Sequence, residues 1–500
     1  MAAGCGSVAD DAPGKGDFSL EVTPGMVDVP IASSNTITIA IGRTGDVGDV
    51  MLAAQGLPNG ITAAFDVNPV PAGTNSVTVT FTVAPGTAAG SFNVTIVGTS
   101  GSLERTVTVK VSAQTITVSG TVRGGAQGVM VRIAGKPAVM SGPNGAFSVA
   151  DISPPYDIYT VGNSGLLGSP VPTVTYYKGV TRPDPIVNVA GPSTLIAFLQ
   201  STATVNGTKT GGDATTPMLI VWDSGGSVTA APPSYTLTAR WPKATTRMGV
   251  LYGFQLTTRP TGAPNTFPGF GSSGQTTLTE ATTQTVNITM TAPQTATLTG
   301  QITSPTGFPT PSITLNQQLG TGVIALWTSS TTTTADATIP VIAAGKSTVY
   351  ATASLNGAIT QFVDPGLNAS KDITFALPAP AVQLAPVDTA TGVNTTTAFS
   401  WTGTPMTVYE LNIASTTTTG TAKARYIVYT TDATATIPMV PEVALPSNQS
   451  FTWAVNGYGP KTSVNDAVTM GGLQNVSSVD FTGARHSYTN STDRTFTSAP

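Results

Sequence analysis

The sequence of 500 residues contains one cysteine and one histidine. The single cysteine, Cys5, excludes a disulfide within the chain and any cluster of thiolate ligands. His486 lies in the polar stretch Gly-Ala-Arg-His-Ser, and the chain offers no further His or Cys ligands for a zinc site. No Gly-x-Ser-x-Gly motif accompanies His486, which argues against a Ser-His-Asp triad. We therefore expect no metal, no cofactor and no catalytic residue.

Charge is also scarce, since Asp, Glu, Lys and Arg make up 9% of the chain and the net charge is −4. An ordinary soluble domain contains about 25% charged residues. No basic cluster marks a phosphate-binding groove, so nucleic acid is excluded as a partner. The glutamates are scattered and suggest no carboxylate pair for glycoside hydrolysis. Asp46 and Asp49 share one turn, where they fit either a calcium site or a solvated loop.

Long apolar runs are missing, because none approaches the roughly 18 residues that a membrane-spanning helix needs. The hydrophobic content of 40% falls instead in short stretches where Thr alternates with Val or Ile, as in residues 76–83. Branching at Cβ suits the pleated strand, and alternate side chains of a strand face opposite sides. The sequence predicts an all-β protein.

One strand pattern occurs three times, at residues 115–122, 202–208 and 295–301. Each copy alternates Thr with aliphatic residues and includes a glycine, and these glycines are about 90 residues apart, the length of one small β-sandwich. We predict roughly five tandem β-sandwich modules after a flexible tether. The predicted boundaries are 1–16 for the tether and 17–113, 114–200, 201–293, 294–379 and 380–500 for the modules.

The start of the chain, Ala2-Ala3-Gly4-Cys5-Gly6, resembles the end of a bacterial lipobox. In that motif small residues precede a cysteine that is lipidated and becomes the mature N-terminus. This sequence departs from the pattern, since no basic and apolar stretch precedes it and Ala2 stands where Leu is commoner. The resemblance implies lipidation of Cys5, membrane contact through that lipid, and a place in the bacterial cell envelope. The alternative is an exposed cysteine in a disordered tail.

Residues 17–113 alternate repeatedly and contain the reversal Pro58-Asn59-Gly60, a layout that resembles bacterial immunoglobulin-like domains. Residues 114–200 resemble the carboxypeptidase regulatory-like, or prealbumin-like, family in residues 118–122, 128–133, 141–149 and 155–159. Residues 143–145, Pro-Asn-Gly, predict a hairpin turn that leaves Phe147 and Val149 facing inward. Tyr156 is expected to bury its ring while its hydroxyl reaches the sheet rim. The resemblance implies a structural spacer or a docking surface.

The next two modules, 201–293 and 294–379, are assigned to the prealbumin-like type by self-similarity. The apolar run at residues 323–327 predicts a central strand buried on both faces. Residues 381–460 resemble a fibronectin type III-like domain, with Trp401 and Trp453 in Phe-x-Trp settings that would pack across a sandwich. In the polar tail, residues 479–481 and 494–496 predict added edge strands.

The richest aromatic segment lies at residues 222–270 and includes Trp222, Trp241 and Tyr252. Aromatic faces with Arg or Asp nearby can bind sugar rings, so these three residues are candidate ligand-binding residues. The same rings fit a sandwich core with one decorated loop at residues 259–274.

The sequence as a whole favours a non-enzymatic envelope lipoprotein that displays a rod of β-sandwich modules for adhesion or scaffolding. The alternative is a carbohydrate-binding surface protein that uses the aromatic segment. A hydrolase is a third hypothesis, which rests only on the enzymes that such modules accompany. The expected partners are a membrane and a surface glycan or protein.

Overall fold

A computed structural model describes residues 16–164, 170–190, 200–257, 266–320, 322–343, 345–404, 407–416, 423–473 and 483–500. Strands account for 61% of the structure and helices for 2%. The prediction of an all-β chain of β-sandwich modules is confirmed. The chain divides into two compact units, which are Met1–Val161 with Tyr176–Val189 and Val468–Met470, and Gly162–Thr175 with Ala190–Ala467 and Gly471–Pro500.

The strands up to residue 190 are, in chain order, β1 Asp17–Thr23, β2 Met26–Pro30, β3 Ser33–Thr44, β4 Met51–Gln55, β5 Ile61–Phe65, β6 Ser76–Val83, β7 Gly90–Ser100, β8 Leu103–Gln114, β9 Ile116–Val122, β10 Met130–Ile133, β11 Val139–Met140, β12 Ala146–Ile152, β13 Tyr156–Ser164, β14 Val171–Val180 and β15 Ile186–Val187. Short 3-10 turns occupy Arg123–Gly125 and Pro143–Gly145.

The first unit begins with a sandwich of two sheets, ordered β1-β3-β6-β5 and β2-β8-β7-β4. Strand β6 has the burial pattern of a half-buried strand, with Val77, Val79, Phe81 and Val83 inward and Thr residues between them less buried. These side chains join one core cluster with residues of the facing sheet such as Val109. The alternation of Thr and Val therefore sets which face of each strand meets the core.

The second pair of sheets in this unit is ordered β12-β9-β15 and β11-β10-β13. Phe147, Val149 and Tyr156 are buried, and the Tyr156 hydroxyl donates to the carbonyl of Arg182 at 2.5 Å, so these predictions are confirmed. The Pro-Asn-Gly turn reverses the chain with φ of 57° at Asn144 and 74° at Gly145. It joins β11 to β12, which lie in different sheets, so the predicted hairpin is wrong.

The strands of the second part of the chain are β16 Gln200–Gly211, β17 Met218–Trp222, β18 Ser227–Ala230, β19 Ser234–Pro242, β20 Thr246–Thr257, β21 Thr266–Thr279, β22 Thr283–Thr285, β23 Ile288–Met290, β24 Gln294–Thr299, β25 Ile302–Thr303, β26 Ser312–Leu319, β27 Gly322–Ser329, β28 Ala337–Val341, β29 Ser347–Leu355, β30 Ala358–Leu367, β31 Lys371–Asp372, β32 Phe375–Ala376, β33 Gln383–Ala385, β34 Ala390–Val393, β35 Phe399–Trp401, β36 Val408–Ser415, β37 Arg425–Thr430, β38 Thr434–Ala435, β39 Ser450–Gly459, β40 His486–Asn490 and β41 Arg494–Ser498. A 3-10 turn occupies Val464–Asp466.

The three repeated sequence stretches form β9, β16 and β24, and these strands have the same pairing. Each has an antiparallel neighbour on one side, β12, β19 or β28. On the other side each has a parallel neighbour, which is β15 for β9, β22 followed by β23 for β16, and β31 for β24. A parallel neighbour is supplied by a strand far along the chain, because parallel pairing needs a long connection. The sequence repeat therefore corresponds to a repeated sheet topology.

A long sheet in the second unit has the order β27-β26-β29-β30-β40-β39-β36-β37. Among the described strands, β27 pairs with β26 alone, and Val323 is 40% exposed, so the prediction of a strand buried on both faces is wrong. Within this run Ile324 and Leu326 are buried, whereas Val323 and Ala325 are exposed, so only one face of the strand packs against the core. Apolar residues on the outer face of such a strand are common on protein surfaces.

A small sheet, β33-β35-β38, faces the C-terminal part of the long sheet. Trp401 and Trp453 are buried, and the ring of Trp453 meets Phe399 edge-on at 5.1 Å between centroids, as predicted for a sandwich core. Residues 494–496 lie in β41, which pairs with β39 and β34. The predicted strand at residues 479–481 lies outside the described residues.

Candidate functional site

The predicted ligand-binding residues do not form an exposed platform. Cys5 lies outside the described residues. Trp222 and Trp241 are 0% and 1% exposed and belong to one core cluster with residues such as Leu237 and Leu251. Tyr252 is 8% exposed. Because a sugar can stack only on an accessible ring face, this burial corrects the prediction that these three rings bind a ligand.

The aromatic segment instead forms a contact between neighbouring modules. Tyr252, Phe254 and Phe267 share one hydrophobic cluster with residues of strands β24 to β30, including Leu315 and Phe362. The turn between β26 and β27 also approaches β17 closely. A Cβ at Gly320, whose φ is 60°, would lie 2.5 Å from Cα of Asp223, so this contact needs glycine. Packing of aromatic side chains explains why this segment is so rich in rings.

Strand β40 forms a second contact between modules, because it is paired on both sides. On one side Val363 lies opposite His486, Gln361 opposite Tyr488 and Ile359 opposite Asn490, all in β30. On the other side, residues 456–459 of β39 lie opposite residues 490–487. Both pairings are antiparallel. One short strand from the polar tail therefore joins the sheet of residues 312–367 to the sheet of residues 408–459.

An ion cluster lies beside this strand. Asp364 on β30 is 1% exposed at its side chain and accepts from Lys371 Nζ at 2.7 Å and from Arg485 Nε at 3.0 Å. Arg485 immediately precedes β40, and its guanidinium also lies 5.5 Å from the ring centroid of Phe362. A buried carboxylate with two cationic partners is a charge-assisted arrangement that fixes the start of β40 against β30.

A polar network continues on one face of the same sheet. Glu410 on β36 is 8% exposed and accepts from Asn456 Nδ2 at 3.0 Å and from the Tyr458 hydroxyl at 2.9 Å. Burial and then the nearby Glu410 carboxylate raise the pKa of Tyr458 far above its usual range. Burial also raises the pKa of Tyr488, whose ring lies 5.3 Å from that of Tyr458. These phenols stay protonated and can donate at physiological pH.

The arrangement offers no catalytic constellation within the described residues. His486 contributes Nδ1 to a hydrogen bond with the carbonyl of Ala484 at 2.8 Å. The described residues contain no group of three His, Cys, Asp or Glu side chains that could hold a metal, and Asp46 and Asp49 are exposed. Nor does any helix in the described ranges have the length and apolarity needed to cross a bilayer. A shallow pocket beside β12 and β13, lined by residues such as Lys136, Asp151 and Tyr156, holds no nucleophile paired with a base.

Comparison with known proteins finds no matching family model and no matching curated protein. Among solved structures, the chain is similar to domains 4 and 5 of the S-layer protein SbsC, with 21% identity over 19% of this chain and half, 50%, of that one, and a TM-score of 0.16. It is similar to the Bacillus anthracis TIE protein, with 12% identity over 72% of this chain and 74% of that one, and a TM-score of 0.23. It is also similar to the pilus adhesin SpaC from Lactobacillus rhamnosus GG, with 12% identity over 70% and 56% of the two chains and a TM-score of 0.13. TM-scores this low do not describe a shared arrangement of the whole chain.

Proposed function

We propose that this protein is a non-enzymatic component of a bacterial cell surface that serves scaffolding or adhesion, held to the membrane by a lipid on Cys5. The observation that carries the proposal is the double pairing of β40 with β30 and β39. It turns sheets of successive modules into one continuous hydrogen-bonded layer. A scaffold must keep its modules at a fixed distance and orientation, and rigid joints between modules do this. An enzyme requires instead that reactive side chains converge at one site.

The mechanical part of the proposal follows from how the modules of the second unit are joined. The cluster that contains Tyr252 and Phe254 removes apolar surface of two modules from water, so separating them would expose it again. The β40 ladders and the Asp364 cluster resist separation at the next joint. Hinge motion inside the second unit therefore requires the loss of packed core or ladder bonds.

The composition of the chain supports display outside the cytoplasm. Charged residues are few, and the exposed positions of strands such as β3 and β6 carry Thr, Ser and Asn. We also propose that the modules are of the immunoglobulin-like, prealbumin-like and fibronectin type III-like types that their sequences resemble. Those resemblances imply spacer or docking roles. The small residues before Cys5 support the lipid anchor.

Surface labelling of intact cells of the native host tests display. We expect an antibody or an amine-reactive probe that cannot cross membranes to reach the protein before permeabilisation. Labelling only after permeabilisation would contradict the proposal. Mass spectrometry of the native N-terminal peptide tests the anchor, with a thioether-linked diacylglycerol expected on Cys5. An unmodified Cys5 within a longer chain would remove the anchor and leave the scaffold role to be judged by the labelling alone.

A further inference from the structure

Asn-Gly pairs are places where the main chain can react with a side chain. Glycine has no side chain to shield its backbone nitrogen, and this nitrogen can attack the carboxamide carbon of the preceding asparagine to close a five-membered ring. The chain contains five such pairs, which begin at Asn59, Asn144, Asn206, Asn356 and Asn456. The reacting groups are the same in each pair, so the surrounding fold decides which pair can react.

The fold holds three of these pairs in place. Asn206 lies in β16 and Asn456 in β39, and at both residues the strand is paired on both sides. Gly145, which follows Asn144, is buried, and its N–H donates to the carbonyl of Gly142 at 3.1 Å. In these pairs the glycine nitrogen can reach the carboxamide only after local hydrogen bonds have opened.

The pair that begins at Asn59 is held less firmly. Asn59 is exposed, but the carbonyl of Gly60 accepts from the Ala84 N–H at 2.7 Å. A Cβ at Gly60 would also collide with Oγ1 of Thr87, so the glycine lies against that side chain. These contacts restrict the rotation that brings the two reacting atoms together.

Asn356 and Gly357 form the two-residue turn between β29 and β30, which the pair of Leu355 and Ala358 closes. Both turn residues are exposed, and their φ values of 49° and 87° are positive, as a type I′ turn requires. The space around Gly357 is open, since the nearest atom to a Cβ there would be Cγ2 of Thr492 at 3.9 Å. In the described part of the chain, neither the Asn356 carboxamide nor the Gly357 N–H has a hydrogen-bond partner.

We propose that Asn356 is a site of self-modification, where asparagine is converted into aspartate and isoaspartate with water as the co-reactant. The Gly357 nitrogen forms a bond to Cγ of Asn356 while the Cγ–Nδ2 bond breaks. Nδ2 leaves as ammonia and takes up the proton that the Gly357 nitrogen has lost. Water then opens the resulting succinimide at either of its two carbonyl carbons, which restores the Gly357 N–H and leaves a carboxylate.

The isoaspartate product affects the joint that β40 makes. It lengthens the main chain of the turn by a methylene carbon, and a two-residue turn fixes the register of the strands that it connects. Ile359, two residues beyond the turn, lies opposite Ser354 in β29 and opposite Asn490 in β40. Modification at Asn356 should therefore loosen β30 beside its contact with β40.

Peptide mapping by mass spectrometry tests the proposal, after prolonged incubation of the full chain at mildly alkaline pH. Conversion is measured as the mass gain when the amide NH₂ is replaced by OH, and isoaspartate as a second chromatographic peak of that mass. Asn356 should convert at least about tenfold faster than Asn144, whose pair must first lose hydrogen bonds. The rate at Asn59 should lie between the two.

The urea-unfolded chain is the matched control, because all five pairs should convert at similar rates once the fold is lost. Asn356→Gln is the matched variant, since its longer side chain would have to close a six-membered ring, which forms far more slowly. This variant should abolish conversion in its own peptide and leave the other four unchanged. Conversion of native Asn356 no faster than that of Asn144, or one order of rates in both folded and unfolded chains, would overturn the proposal.

Amide hydrogen exchange tests the effect on the joint. The aged chain that carries isoaspartate should exchange faster in residues 359–363 than Asn356→Asp, which has the new charge without the longer main chain. Equal exchange in the two samples would refute the effect on β30. The reaction needs only water, so it can fail or succeed independently of the proposed surface role.

Discussion

Asp364 and Arg485 are 121 residues apart in the chain and meet through two hydrogen bonds, from Nε at 3.0 Å and from a terminal guanidinium nitrogen at 2.5 Å. The side chain of Asp364 is 1% exposed and that of Arg485 is 31% exposed. Arg485 leads directly into β40, so this pair sets where the strand begins against β30. An ion pair between two distant segments thus fixes the register at the joint between two sheets.

Substitution of Asp364 should weaken this joint. Asp364→Asn keeps the shape but removes the charge that Lys371 and Arg485 share, and both cations are partly exposed and can regain water. We expect a loss of about 1.5 to 3 kcal/mol in the free energy of unfolding of the second unit, the range for hydrogen bonds to charged groups. Denaturant unfolding of the full chain measures it.

Asp184→Asn is the control for that substitution. Asp184 pairs with Arg182 at 2.8 Å, but its side chain is 64% exposed. Exposed ion pairs contribute about 0 to 1 kcal/mol, so this variant should unfold almost as the parent does. Equal losses in the two variants would show that Asp364 has no special role at the joint.

Trp222→Ala distinguishes a core residue from a binding residue. The ring is 0% exposed within a packed cluster, so its removal should cost about 3 to 5 kcal/mol through lost burial and a residual cavity. A thermal melt monitored by circular dichroism should shift clearly downward. Met248→Ala, at a side chain 64% exposed, should leave the melt nearly unchanged. An unchanged melt for Trp222→Ala would contradict the core assignment.

Much of the fold can be predicted from local sequence. In stretches such as residues 76–83 polar and apolar residues alternate, and this alternation predicts which side chains face inward. The repeated strand that contains Gly120, Gly207 or Gly300 can also be recognised in the sequence. In the structure, all three copies pair with an antiparallel neighbour. At Gly207 a Cβ would lie 1.8 Å from the carbonyl oxygen of Val286. The glycine in the repeat therefore marks close approach of the parallel strand, which sequence alone did not reveal.

The joints between modules could not be predicted from local patterns. Strand β40 reads His-Ser-Tyr-Thr-Asn, and a polar stretch near the end of the chain predicts a tail. Its place in the centre of a sheet depends on partners about 30 and 130 residues away, and such distant pairing leaves no local signal. From the sequence alone, aromatic residues such as Tyr252 and Phe254 fit either a hydrophobic core or an exposed ligand-binding platform. Only the three-dimensional contacts separate the two.

Tyr252→Ala should loosen the contact between the second and third repeats. Tyr252 is 8% exposed and shares its cluster with Phe362 and Leu315 from later strands. Removal of the ring should cost about 3 kcal/mol and reduce the coupling between these modules. Calorimetry of the full chain should then show a broader or split transition for the second unit. A uniform shift with unchanged cooperativity would mean that the ring supports only its own module.

The folded chain should lose stability in alkaline solution, because its buried tyrosines ionise at a higher pH than the same tyrosines do in the unfolded chain. Burial raises the pKa of Tyr235 from its ordinary 10.0 to about 12, and burial also raises the pKa values of Tyr156 and Tyr426. The unfolded chain then loses phenol protons from about pH 10, while the folded chain keeps them until at least about pH 12. The stabilisation is complete below pH 10 and is lost as the pH rises towards the folded value. Denaturation midpoints and tyrosinate absorbance should change together, and ionisation without unfolding would contradict this burial.

Disruption of β40 should destabilise the hydrogen-bonded ladders that it forms with both of its neighbours, β30 and β39. Thr489 lies opposite Thr360 in β30 and opposite Gly457 in β39. Thr489→Pro removes a backbone donor and places a ring in the ladder, which a central strand does not tolerate. We expect amide hydrogen exchange at least about tenfold faster in residues 359–363 and in residues 456–459, the effect of one lost ladder bond or more.

The first unit supplies the internal reference for that measurement, since exchange in its strand β6 should stay at the parent rate. Faster exchange on only one side of β40 would mean that one of the two pairings forms independently of the strand, and β40 would then be an addition to a single module. Faster exchange on both sides at once, with β6 unchanged, requires that the two sheets depend on one shared strand. That dependence is what the proposed scaffold role needs from this part of the chain.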